Sequence, residues 1–200
     1  MGTIEESLQK LKTDYIDIVH LHSCDKYHLE QGDCILALEH AKEQGKIRVI
    51  AYSGENDALQ FALGSGRFGS IQCSVNLFDQ QGIRWYLPMA AEKGYGIIGK
   101  RPLGNAVWRY SNRPEGHGHV LYYDRYKKMN ISNYGLSYSE LALRFSAFAP
   151  FVSSIIIGTS NQGHLLENIQ FAEQGALPEE IVNDVQSKFE DLGSSLHGLI

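Results

Sequence analysis

Apolar positions in this chain alternate between two spacings. Ile4, Leu8 and Leu11 recur at helical intervals behind Thr3 and Glu6, whose separation is that of a capping box, so residues 3–12 read as a helix. Ile16 to His22 then runs as a β-rich segment, with Ile16, Ile18, His20 and His22 on one face and Asp17, Val19 and Leu21 on the other. A second helix starts at Asp33, carries Cys34, Leu38 and Ala41 as its apolar stripe, and stops at Gly45. The strand Ile47–Tyr52 follows, and the alternation persists: helix 57–63, strand 70–75, helix 83–92, strand 95–99. Ser137 with Glu140 caps a helix reaching about Phe148, residues 153–157 form the last strand, and a short helix at 163–171 precedes a terminal one opened by Pro178.

Five short apolar strands, each followed by a helix, define an α/β chain with parallel pairing, because a parallel crossover needs a helix to return the chain and cover the sheet. Periodicity alone leaves an open doubly wound sheet and a (β/α)8 barrel both standing. In either, the carboxyl ends of the strands carry the site. Those ends are His22-Ser23-Cys24, Ser53-Gly54-Glu55, Ser74-Val75-Asn76, Lys100-Arg101-Pro102 and Gly158-Thr159-Ser160. One long non-repetitive stretch, 103–136, holds a helix near 122–129; loops of that length are functional or mobile. Its Trp108, Tyr110, Tyr122 and Tyr123 either line an apolar pocket or pack the loop down.

At 200 residues the chain is expected to form one domain, residues 1–200. Its 18 basic and 23 acidic residues leave a formal charge of -5 with no basic stripe, which argues against nucleic acid as a partner. No apolar run approaches the roughly 20 residues that span a bilayer, so no membrane role is expected. Three cysteines, Cys24, Cys34 and Cys73, form no CxxC pair and suit a reducing cytoplasm, where they read as small buried hydrophobes.

Four motifs bear on chemistry. Gly64, Gly66 and Gly69 spell GxGxxG, but they follow a helix and precede a strand, the reverse of a dinucleotide-binding turn, and read as a helix stop. His20, His22, Cys24 and His28 are metal-competent side chains whose spacing matches no zinc pattern, so no metal is expected. There is no GxSxG; instead Gly158-Thr159-Ser160 offers small residues and hydroxyls before a helix, which serves either an anion or a plain N-cap. Lys100-Arg101 places two cations at a strand's end, where they are either solvated or aimed at a phosphorylated ligand.

Taken together, Ser7-Leu8 with Leu11, Thr13-Asp14-Tyr15-Ile16-Asp17-Ile18 ending in His22, Gly45-Lys46-Ile47-Arg48 leading to Ser53, Ile71-Gln72 with Asn76, Gly96-Ile97-Ile98 leading to Pro102-Leu103-Gly104, and Ile157-Gly158-Thr159-Ser160 with Glu167-Asn168 resemble the aldo-keto reductase family. The resemblance spans essentially the whole chain. It implies a partial (β/α)8 TIM barrel of about five β/α units plus a carboxyl-terminal helix. It further implies an NAD(P)H-dependent oxidoreductase that passes a hydride to a small-molecule carbonyl substrate while a Tyr, tuned by Lys and Asp, donates the proton. His22 matches the family's substrate-orienting histidine, which hydrogen-bonds the developing oxyanion. By the same resemblance Ser53 and Gln72 hold the carboxamide of NADPH or NADH. Lys100, Arg101, Pro102, Leu103 and Asn105 face the pyrophosphate, and Gly158, Thr159, Ser160, His164, Glu167 and Asn168 face the adenosine end.

The sequence departs from the family pattern in several places. Gly54 stands where many members carry Asn, Lys100 where an aromatic stacks on nicotinamide, and His164 where NADP-dependent members have Arg. The strands that bear the family's Asp, Tyr and Lys precede the segment at which this chain begins, so a truncated chain completed by an amino-terminal segment is expected. Loss of the proton donor removes about 100- to 10,000-fold in rate. Two further readings stay open: a catalytically inactive partial barrel that retains nucleotide binding or acts as a protein-interaction module, and a phosphate-binding barrel of other chemistry.

Overall fold

The computed structural model describes residues 2–193 and 196–199. Its strands are β1 (Ile16–His22), β2 (Ile47–Ser53), β3 (Ser70–Ser74), β4 (Gly96–Lys100) and β5 (Ser154–Ile155). The α-helices are α1 (Gly2–Leu11), α2 (Lys26–Gln31), α3 (Asp33–Glu43), α4 (Asn56–Ser65), α5 (Leu87–Glu92), α6 (His117–Met129), α7 (Tyr138–Ala147), α8 (Gln162–Glu173) and α9 (Glu179–Glu190). A π-helical turn, Gly82–Tyr86, leads into α5, and a 3-10 segment, Gly104–Arg109, follows β4. The strands neighbour one another in chain order, β1-β2-β3-β4-β5, and the registered pairs are parallel. The fold class is α/β, as the alternation predicts. No described helix is long and apolar enough to cross a membrane.

The described residues fall into two compact units. The first holds the chain up to Gln72 together with Met89–Gly96, and the second holds Cys73–Pro88 and the chain from Ile97 on.

In the first unit β2 is central and fully covered from Ile50 to Ser53, whereas β1 pairs only with β2 among the described residues and leaves Ile18 and Tyr15 exposed. Helix α3 presses Leu38 and Ala41 inward as the sequence suggests, with Ile35 taking the place expected of Cys34, which is partly exposed. α4 buries Ala58, Leu59, Ala62 and Leu63 and ends at Gly66, whose φ of 70° is the left-handed cap. The GxGxxG string is therefore a helix stop followed by a turn, in agreement with its order in the chain. Helix α2 escapes the pattern because only Leu29 is buried on it. Its limits were nonetheless written in the sequence: Asp25 caps it by accepting from the His28 N–H at 2.9 Å, and Gly32 closes it at φ 82°.

In the second unit Val75 N–H donates to the Lys100 carbonyl at 3.2 Å, which sets the end of β3 beside the end of β4. β5 is shorter than the expected 153–157. It has one described partner, β4, and Ile156 beyond it is half exposed. The core gathers Phe78, Tyr122, Leu141, Phe145, Val185 and Phe189. The loop 103–136 folds onto this core through its aromatics: Trp108 stacks on Tyr138 with centroids 5.8 Å apart, and Tyr122 and Tyr123 are buried. Of the two readings of that loop, packing down is the observed one. α7 starts where the capping box places it, with Ser137 Oγ accepting from the Glu140 N–H at 3.0 Å.

Candidate active site

Parallel pairing aligns the carboxyl ends of neighbouring strands. In the first unit this sets His22 opposite Ser53 and Ser53 opposite Gln72. The Gln72 side-chain amide donates to the Ser53 hydroxyl at 3.3 Å, and Ser53 is fully buried. Three of the expected site residues, from three strands, thus form one row. His22 ends β1 and is exposed. His20, two residues earlier on the same strand, is half-buried; its Nε2 is buried and has no hydrogen-bond partner among the described residues. Burial first, and the nearby His22 second, hold the His20 imidazole below its ordinary pKa and favour its neutral form.

Next to this row lies a feature that sequence reasoning did not find. Tyr52 is buried in β2, and its hydroxyl donates to the Cys24 carbonyl at 2.8 Å, tying β2 to the loop that follows His22. Burial pushes the Tyr52 phenol well above the usual tyrosine range, so it stays protonated and a donor. Nothing in the spacing of positions 24 and 52 announces this bond.

In the second unit the segment after β4 turns sharply, with Arg101 at φ 55°, Gly104 at 49° and Asn105 at 58°. Lys100 is buried at the strand end. The Arg101 guanidinium donates to the Leu199 carbonyl, so its charge is turned to the carboxyl-terminal segment. Asn105 Nδ2 donates to the Gly118 carbonyl at 3.2 Å, and the Pro102 carbonyl accepts from Ser146 Oγ at 3.0 Å. Leu103 packs against the aromatic core. The segment is held from several sides.

Gly158, Thr159 and Ser160 follow β5 and are exposed, as are His164 and Glu167 on α8, while Asn168 is buried. Asn161 caps α8, accepting from Gly163 N–H at 2.8 Å and His164 N–H at 3.4 Å. The cap reading of this loop is realised, since two of the helix's free donors are already engaged. A β-carbon at Gly158 meets nothing within 4 Å, so the backbone there is open to approach. Among the described residues no three His, Cys, Asp or Glu side chains converge as a metal site.

An α/β fold with parallel strands and a row of polar groups at the strand ends defines the class, and comparison with known proteins gives the family. The Aldo/keto reductase family model matches residues 1–190, and the chain belongs to that family. It is 27% identical over 202 residues to an L-galactose dehydrogenase of Arabidopsis thaliana, covering 94% of this chain and 63% of that protein. An uncharacterized oxidoreductase of Bacillus subtilis is 28% identical, with 92% and 63% covered. Among solved structures, the holo form of an aldo-keto reductase from Bacillus halodurans superposes with a TM-score of 0.78 at 25% identity, covering 94% of this chain and 65% of that one. The chain therefore spans somewhat less than two thirds of the length of these three relatives.

Proposed function

We propose that this chain is the cofactor-binding and histidine-bearing portion of an NAD(P)H-dependent oxidoreductase acting on a small-molecule carbonyl. The observation that carries the reading is the row His22, Ser53 and Gln72, joined by strand register and by the Gln72–Ser53 hydrogen bond. Its donor set fits a nicotinamide carboxamide, because a hydroxyl and a side-chain amide each offer a donor and an acceptor, as the carboxamide requires. When bound, the dinucleotide supplies the hydride.

In this reading His22 hydrogen-bonds the substrate oxygen as charge develops on it. Ser53 and Gln72 orient the nicotinamide end. The segment Lys100, Arg101, Pro102, Leu103 and Asn105 takes the pyrophosphate, with the Arg101 guanidinium also donating to the Leu199 carbonyl. Gly158, Thr159, Ser160, His164, Glu167 and Asn168 take the adenosine end. Two relatives carry the names L-galactose dehydrogenase and D-threo-aldose 1-dehydrogenase, so aldoses join simple aldehydes and ketones as substrates to try. We place the protein in the cytoplasm on its three free thiols.

The test is turnover of NADPH and NADH with aldehydes, and of NADP and NAD with aldoses. Replacing His22 by Ala is expected to lower turnover by about 100-fold or more while leaving cofactor affinity nearly unchanged. Unchanged turnover in that variant contradicts the reading. Saturable cofactor binding with no turnover by the chain itself favours the second reading, a non-catalytic partial barrel.

A further inference from the structure

Cys24 and Cys34 are ten residues apart in sequence, belong to no CxxC pair, and meet in space: their sulfurs lie 3.9 Å apart, in contact as thiols. Both are partly exposed, whereas Cys73 is fully buried. Cys24 occupies the loop between β1 and α2, directly after Ser23, whose φ is 53°. Cys34 sits in the first turn of α3, with its sulfur also 3.8 Å from the His28 carbonyl. A disulfide needs the sulfurs at about 2.05 Å, so about 2 Å of approach separates the reduced pair from a bond. The Tyr52 hydroxyl anchors the Cys24 carbonyl and so ties the backbone there to β2.

We propose that Cys24 and Cys34 are a reversible dithiol–disulfide pair that closes a clasp around α2, immediately after His22, when a low-molecular-weight disulfide such as oxidised glutathione is in excess. The reaction starts at Cys34. In this order Cys24, whose thiol is pushed up by burial and the neighbouring Cys34 sulfur, is the resolving group. The Cys34 thiolate attacks one sulfur of glutathione disulfide, the reagent's S–S bond breaks and one glutathione thiolate leaves. Cys24, losing its proton to solvent, then attacks the Cys34 sulfur of the mixed disulfide and expels the second glutathione. Two protein thiols are oxidised and one reagent disulfide is reduced to two thiols. The ring so formed spans residues 24–34 and fixes the loop that follows the proposed substrate-orienting histidine. The clasp itself does not depend on the proposed activity.

The experiment equilibrates the whole chain with defined ratios of oxidised to reduced glutathione, blocks remaining thiols with iodoacetamide under denaturing conditions, and maps peptides without reduction. The expected result is a fall from three blocked thiols to one, at Cys73, with a peptide pair joined through Cys24 and Cys34 and a mass loss of about 2 Da, all reversed by dithiothreitol. Cys24→Ser should instead stop at a glutathione adduct on Cys34. Three free thiols at every ratio, a stable adduct on Cys34 with Cys24 still free in the unaltered chain, or a link through Cys73 overturns the proposal. The unaltered chain alone decides it, so a variant that fails to fold does not obscure the result.

Discussion

The phenol of Tyr52 occupies the space that a side chain on Gly54 would need: a β-carbon there would lie 2.2 Å from the Tyr52 hydroxyl and 2.6 Å from its Cζ. Position 54 is thereby restricted to glycine by a neighbour two residues away. Tyr52 folds over the end of β2 to reach the Cys24 carbonyl, and only glycine fits beneath it.

Gly54→Ala is accordingly expected to cost about 1–3 kcal/mol, the range for forcing extra volume into a packed site, and Gly54→Asn more. Tyr52→Phe should not rescue Gly54→Ala, because the ring carbons clash as well as the hydroxyl. Pairing Gly54→Ala with Tyr52→Leu should lose less than the sum of the two single changes, by about 1 kcal/mol. Urea unfolding of the four proteins checks this, and strict additivity would show that the two positions are independent.

Acid sensitivity is expected from His20. Its imidazole pKa is lowered in the fold from the ordinary 6.5 by burial and by His22, so the unfolded chain takes up a proton where the folded chain does not. The contribution is fully present above 6.5 and is lost as pH falls from there toward the depressed folded value. Melting temperature should therefore drop on acidification below about 6.5, and His20→Gln should flatten that part of the profile. An unchanged slope in the variant would assign it elsewhere.

Arg144 holds the turn between α8 and α9. It is nearly buried, pairs with Glu140 at 2.7 Å, and donates to the carbonyls of Gly175 and Ala176, each at 2.9 Å. Arg144→Ala should cost about 3–5 kcal/mol, because it leaves a carboxylate and two carbonyls without their donor. Ser137→Ala, which removes only the α7 cap, should cost about 1 kcal/mol. Calorimetric melting distinguishes the two, and equal shifts would contradict this ranking.

The strand and helix order was legible because apolar spacing reports burial directly. β1 runs over the expected residues Ile16–His22, and β2 extends one residue past Tyr52 to Ser53. Helix α2 was hidden because one buried leucine makes no stripe. The alignment of the strand ends was also legible, since parallel pairing dictates it. What the sequence could not carry was side-chain direction. Arg101 reads as a free cation at a strand end, yet it bonds Leu199, 98 residues on. Cys24 and Cys34 read as unrelated hydrophobes, yet they touch, because the capped turn of α2 brings the chain back on itself.

The central claim is that the Ser53–Gln72 pair grips a reduced nicotinamide. Titration of NADPH and NADH against the chain, followed by nicotinamide fluorescence, tests it most directly when repeated with Ser53→Ala and Gln72→Ala. The account predicts saturable binding to the unaltered chain, weakened about 5- to 30-fold in each variant by loss of a hydrogen bond worth about 1–2 kcal/mol, with melting behaviour little changed. Equal affinity in all three proteins, or no binding to any of them, would contradict it.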